Sequence, residues 1–308
     1  MLPSRSSIPA RWQVLPVAVA SLFVAQSLFA PSAHAACPPA GHTIETLQAL
    51  KTTEWKITDN AARQTLALAL QDCLASPNPA LRDELGFEAL SSWMRGGQLD
   101  AATLQAIRST QLQVLAGAAD KGGFAQPFAA LALAEVARVD RKQPFLSKEQ
   151  RQEMVNAASR FLSAGRDYRG FDEKEGWRHA VAHSSDWMLQ LALNPALEKA
   201  QMDTMLGAIA TQVAPGGHFY QYGEGERLMA PVFYLGRRSE ISSVEWDAWF
   251  VRLLAPLKKG PASQASLALR HNLNGFLLPL YFSLQESGDS MQKQRMLPFV
   301  TRSLKQIE

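Results

Sequence analysis

Along most of this chain the hydrophobic residues recur at spacings of three and four, the signature of helices with one buried face. After a short Pro-rich start, a first helix is expected from Thr43 to Lys51. Asp59 is a good N-cap for a second, whose stripe is Ala62, Leu66, Ala69, Leu70 and Cys73. Ser76-Pro77-Asn78-Pro79 breaks the chain, and a third helix is expected from about Ala80 to Met94, stopping at Gly96-Gly97. Asp100 opens a fourth, and Phe128, Leu131, Ala132, Val136 and Val139 mark a fifth. Ser147 followed by Gln150 is a capping box at the head of a sixth. Further on, Pro195 is expected to open a helix reaching Val213, and others cover Glu226–Leu235, Ser243–Leu257, Ser263–Gln285 and Met291–Ile307. No stretch alternates as a strand would. The pattern predicts an all-α fold of about a dozen helices. Short connections favour antiparallel neighbours, so the expected architecture is a solenoid-like α/α superhelix of stacked antiparallel pairs, with an α/α toroid as the alternative. No sequence period of the tetratricopeptide or ankyrin kind accompanies it.

One segment departs from this plainness. Asp167 to Trp187, DYRGFDEKEGWRHAVAHSSDW, concentrates arginines, glycines, tryptophans, histidines and acids. Gly170 and the dense polar residues make Asp167–Lys174 a loop. From Glu175 the pattern reads as helix, and Asn194-Pro195 ends it. On such a helix Glu175, His179, His183 and Asp186, spaced four, four and three apart, share one face. Asp172 and Glu173 fall just ahead, where a helix N-terminus favours negative charge.

The first 35 residues read as a removable secretory leader of bacterial type. Arg5 and Arg11 form its basic start, Val14–Ala30 its apolar middle, and Ala33-His34-Ala35 its small-x-small cleavage box. Export to the periplasm or medium follows, and residues 36–308 are expected to form a single helical domain. Loss of the leader removes two arginines and no acids, which lowers the net charge from +3 to +1. That near-neutrality gives no basic field for nucleic acid. No later apolar run is long enough to span a bilayer. Cys37 and Cys73, the two cysteines, can pair in an oxidising compartment, a link worth roughly 3–4 kcal/mol by loop entropy.

The central segment resembles the signature of a bacterial family known only as domain of unknown function 2785. The residues that carry the likeness are Arg169, Gly170, Asp172, Gly176, Trp177, His179, Ala182, His183 and Asp186. Downstream, YGEGERL (Glu224, Glu226, Arg227, Leu228) looks like the family's acidic-Glu-Arg-Leu segment. FAQPFAALALAEVARVD is similar to an upstream helix, with Gln126-Pro127-Phe128-Ala129 where Arg-Ser-Phe-Ser is typical. The likeness covers roughly Asn60 to Arg238. It implies an all-α fold and brings no activity.

Three readings of the segment stand open. In the first, His179, His183 and Asp186 hold zinc or a similar divalent ion for a hydrolase, with Glu175 or His179 as general base and His218 or Glu226 in support. The zincin pattern is absent, because alanine follows His179. In the second, Arg169, Asp172, Trp177, His179, His183, Asp186, Glu226 and Arg227 line a polar cleft that binds a peptide or other polar partner, with Trp177, Tyr220 and Tyr222 as stacking surface. In the third, the same residues form a buried network that locks helix pairs together. His271 and Asn272 read as ordinary helix positions.

Overall fold

The structure, a computed structural model, describes residues 37–307, Lys259 excepted. The expected leader lies outside the described residues. Twelve α-helices occupy them: α1 (Ile44–Thr52), α2 (Asn60–Leu70), α3 (Glu88–Arg95), α4 (Ala101–Ala116), α5 (Ala125–Lys142), α6 (Lys148–Ala164), α7 (Ala180–Ala192), α8 (Lys199–Gln212), α9 (Glu224–Leu235), α10 (Ser243–Leu254), α11 (Gln264–Glu286) and α12 (Ser290–Ile307). Gln71–Ala75 is a 3-10 turn, and Ala80–Phe87 is a π-helical stretch that runs straight into α3. The fold is all-α and made of packed helix pairs.

Local chemistry sets the starts of these helices. The Asp59 carboxylate accepts the amides of Ala61 and Ala62, and Asp100 accepts that of Thr103. Ser147 and Gln150 form the expected reciprocal box, as do Ser242 and Glu245. Each such cap contributes about 1 kcal/mol. Pro195 does not open a helix: the Asn194 side chain accepts the Ala196 amide in a turn, and α8 begins only at Lys199. Cys37 and Cys73 are joined, which ties the segment before α1 to the 3-10 turn.

α7 is the central rod. It packs along α5, against α9, and also touches α6 and α8; α9 in turn packs on α11, and α11 on α12. Burial on all sides explains its composition: Val181, Ala182, Trp187, Met188 and Leu191 are buried, and so are its polar residues His183, Ser184 and Ser185. The two serine hydroxyls donate to the carbonyls of Ala180 and Val181, each at 2.7 Å, so they are satisfied core groups and not nucleophiles. One hydrophobic core extends from Leu47 in α1 to Ile307 in α12. Among the described residues no helix is long and apolar enough to cross a membrane.

Among the described residues one small sheet is present, contrary to the expectation of none. β1 (Phe171–Asp172) pairs antiparallel with β2 (Gly176–Trp177), Phe171 opposite Trp177. The three residues between them turn because Asp172 Oδ1 accepts the amides of Lys174 and Glu175, and because Gly176 takes φ +73°.

Candidate functional site

The hairpin is clamped from behind by two buried arginines. Arg82, wholly buried on the π-helical stretch, donates to the Ser76 carbonyl at 2.9 Å, to Asp83 at 2.7 Å and to the Glu175 carbonyl at 2.8 Å. Its guanidinium also stacks on Phe124 and Phe128, 4.1 and 4.9 Å from the ring centres. Arg178 donates to the Gly122 carbonyl and to the Glu175 carboxylate. Gly176 is required here: a Cβ would come within 3.0 Å of the Arg82 guanidinium at a φ that other residues avoid. Neither arginine was singled out among the candidate residues, because an arginine in a helix pattern reads as a solvated face until its neighbours are known.

This clamp corrects the expected stripe. α7 begins at Ala180, so Glu175 lies in the hairpin turn and reaches Arg178, not an imidazole. His179 is the residue before the helix, held in the left-handed region at φ 55°, ψ 40°. Its amide donates to the Arg169 carbonyl, which extends the hairpin ladder and stops the helix from starting earlier. The two imidazoles nevertheless meet, ring centres 5.9 Å apart. His179 stacks on Trp177 at 4.7 Å, and His183 stands edge-on to Phe128 at 5.0 Å. Both are buried, and each has a ring nitrogen without a hydrogen-bond partner among the described residues: Nε2 of His179 and Nδ1 of His183. Burial lowers the pKa of both. For His183 it falls to about 3, with the nearby His179, Arg227 and Arg82 pushing the same way and a hydrogen bond to the Pro127 carbonyl opposing. Both rings are therefore neutral at pH 7.

Asp186 does not join them as a ligand. Both of its oxygens accept from Arg227 of α9, at 2.5 Å, and burial raises its pKa against that partner's pull. Among the described residues no three His, Cys, Asp or Glu side chains are gathered as a metal ion would require. Glu226 is exposed, and the acid that turns inward is Glu224. Helical register decides this: Glu224, Leu228, Val232 and Leu235 share the buried face of α9, and Glu226 is half a turn away. Glu224 accepts the Tyr222 amide at 2.9 Å and lies 3.8 Å from His179 Nε2.

The open part of the site is elsewhere. A cleft of about 560 Å³ is lined by the loop 166–172 and the loop 218–222, which touch at its edges. Arg169 and Asp172 of the candidate set line it, together with Tyr168, Arg178, His218 and Tyr222; Trp177, His179, His183, Asp186, Glu226 and Arg227 do not. Tyr168 stacks on His218 at 4.7 Å, one from each loop. Arg169 is half exposed and paired with Asp167. Tyr222 packs over Gly170, where a Cβ would fall 2.0 Å from its ring, and meets Trp177 edge-on at 5.7 Å. Phe171, Trp177 and Tyr222 remain exposed, forming an aromatic rim.

The second loop is gripped by residues that the sequence left as ordinary helix. Asn272 accepts the Tyr220 amide at 2.9 Å and donates to the His218 carbonyl at 2.7 Å. His271 Nε2 lies 2.9 Å from the Tyr220 carbonyl. The Tyr220 hydroxyl donates to the Gln212 carbonyl at 2.8 Å, and Tyr220, expected as stacking surface, is buried. Both walls of the cleft are thus pinned to the helical scaffold.

Fold and site together define an all-α protein that presents a loop-built, aromatic-rimmed polar cleft beside a buried histidine pair. Residues 113–282, more than half of the chain, match the family model described as "Protein of unknown function (DUF2785)", and the protein belongs to that family. The match begins later and ends later than the resemblance at Asn60–Arg238 indicated, and it takes in most of α11, with His271 and Asn272. No curated protein and no solved structure matches the chain.

Proposed function

We propose that this is a binding protein, an exported single domain of residues 36–308 stacked as an α/α superhelix, which captures a peptide or other polar partner in the cleft between loops 166–172 and 218–222. The observation that carries the reading is the division of labour in the signature segment. Its buried members Arg178 and His179 tie the hairpin down, Arg178 through the Gly122 carbonyl and the Glu175 carboxylate and His179 through the Arg169 carbonyl, while Arg169, Phe171 and Trp177 face outward with Tyr222. A rigid polar cleft with exposed aromatic rings suits an extended chain, which stacks on the rings and offers amides and charges to the polar groups. The disulfide is consistent with an oxidising compartment and therefore with cleavage of a leader near Ala35.

The test is panning of a random peptide library against the whole mature chain, with Arg169→Glu and Tyr222→Ala run in parallel. Peptides enriched on the parent and lost on both variants while the variants remain folded support the reading. No enrichment, or peptides retained by both variants, contradicts it.

A metal-dependent hydrolase is the second reading, favoured by the two buried, unpartnered imidazole nitrogens. The residues present do not fit zinc as they stand, since a third protein ligand is needed and Asp186 is committed to Arg227. Elemental analysis of protein purified without chelators decides between the readings: about one zinc per chain, lost in His183→Ala, favours the hydrolase.

A further inference from the structure

A largely apolar cavity lies beside the central helix and adjoins that cleft at Arg166 and Asp167, which line both. It measures about 440 Å³, within the range of small-molecule sites. Its walls come from four helices: Leu112 and Leu115 of α4, Pro127 of α5, Ala157 and Phe161 of α6, and Val181 of α7. The charged groups at its edge are not balanced. Asp120 is consumed by the amides of Gly123, Phe124 and Ala125, where it caps α5. Asp167 is held by Arg169. Arg166 gives hydrogen bonds only to the carbonyls of Ser163 and Gly165, and Arg160 is exposed with no ion-pair or hydrogen-bond partner among the described residues. An apolar chamber whose carboxylates are engaged and whose arginines have no carboxylate partner is complementary to an anion with an apolar tail.

We infer that this cavity binds a single-chain alkyl carboxylate, its tail between α4, α5, α6 and α7 and its head at Arg160 and Arg166. Enclosure by leucine, phenylalanine, proline and alanine side chains makes tail length the main determinant of affinity, about fourfold in Kd for each methylene buried. The arginines select the sign of the head. The volume suits one chain and not the paired chains of a bilayer lipid.

Calorimetric titration of the mature protein with dissolved octanoate and decanoate, and with decyltrimethylammonium as the cationic match, tests the inference. The expected result is 1:1 binding, with decanoate roughly sixteenfold tighter than octanoate and the cation at least about tenfold weaker than decanoate. Arg160→Glu is expected to lose about tenfold for decanoate and little for the cation. Ala116→Trp, at an exposed position of the mouth, is expected to abolish binding; Ala164→Trp is the second such variant should the first fail to fold. Absence of saturable binding, affinities that ignore tail length, equal binding of the cation, or decanoate binding that survives a folded mouth variant overturns the inference. Uptake only from phosphatidylglycerol vesicles, with no binding of dissolved decanoate, also overturns it.

Discussion

Mild acid should loosen the hub of this fold through His183. The ring is buried against Phe128, and burial depresses its pKa to about 3, against about 6.5 in an unfolded chain. The sign follows directly. Between those two values the unfolded state carries a proton that the native ring refuses, so stability falls as pH drops below about 6.5 and stops falling near 3. At about 1.4 kcal/mol per unit, the loss between pH 7 and pH 5 is about 2 kcal/mol, or roughly 4–8 °C in Tm for a chain of this size. His179, also depressed by burial, adds in the same direction. Asp83 and Asp186, whose carboxyls burial raises, work the opposite way, because their native forms take up protons first. A cycle isolates the histidine: urea midpoints at pH 7, 6 and 5 for the parent and for His183→Phe. The phenylalanine retains an edge toward Phe128 and leaves the Pro127 carbonyl unpaired, a fixed cost of about 1–3 kcal/mol at every pH. The parent should lose about 2 kcal/mol more than the variant on going from pH 7 to pH 5. Parallel losses in the two proteins would refute the reasoning, since they would mean that His183 titrates as a solvated ring.

Other predictions follow from close contacts elsewhere. Gly225→Ala places a Cβ 2.7 Å from the backbone of Gly275 where α9 crosses α11, and neither backbone can yield cheaply. A loss of about 1–3 kcal/mol is expected by chemical denaturation, with little change in helix content by circular dichroism. Arg82→Ala strips partners from the Ser76 and Glu175 carbonyls and leaves Asp83 without its cation, so a cost of about 3–5 kcal/mol is expected, with faster amide exchange confined at first to the hairpin. Cys73→Ser should cost roughly 3–4 kcal/mol, and reducing agent should destabilise the parent but not the variant.

The helices were legible because their signals are local. Asp59, Asp100 and the Ser147–Gln150 box each act within one turn, and each stands where its spacing indicated. The cysteine pair was legible for a different reason, the chain having no other thiols to offer. The segment around His179 was misread because two local codes overlap there. Glu175, His179 and His183 satisfy helical spacing, yet the Asp172 side chain captures two amides and Gly176 takes positive φ, and those two residues are the hairpin's own signal. The hairpin prevails because Arg82, ninety-three residues away in sequence, donates to its turn. No local pattern reports such a bond. The same limit hid Asn272, which grips the loop at His218 and Tyr220 across more than fifty residues. It also led to Glu226 in place of Glu224: with acids two apart, only the register of α9 against α11 decides which is buried.

The central claim is that the buried half of the signature segment holds the hairpin and the exposed half meets the partner. The most direct measurement is titration of one library-selected peptide into Tyr222→Ala and into His183→Ala, with affinities corrected for the folded fraction. The account predicts that the folded fraction of Tyr222→Ala loses at least about tenfold in affinity, as expected for truncation of an aromatic contact worth about 2 kcal/mol or more. It predicts that His183→Ala melts several degrees lower while its folded fraction binds with the parent's affinity. Loss of binding in folded His183→Ala, with Tyr222→Ala binding normally, would contradict it.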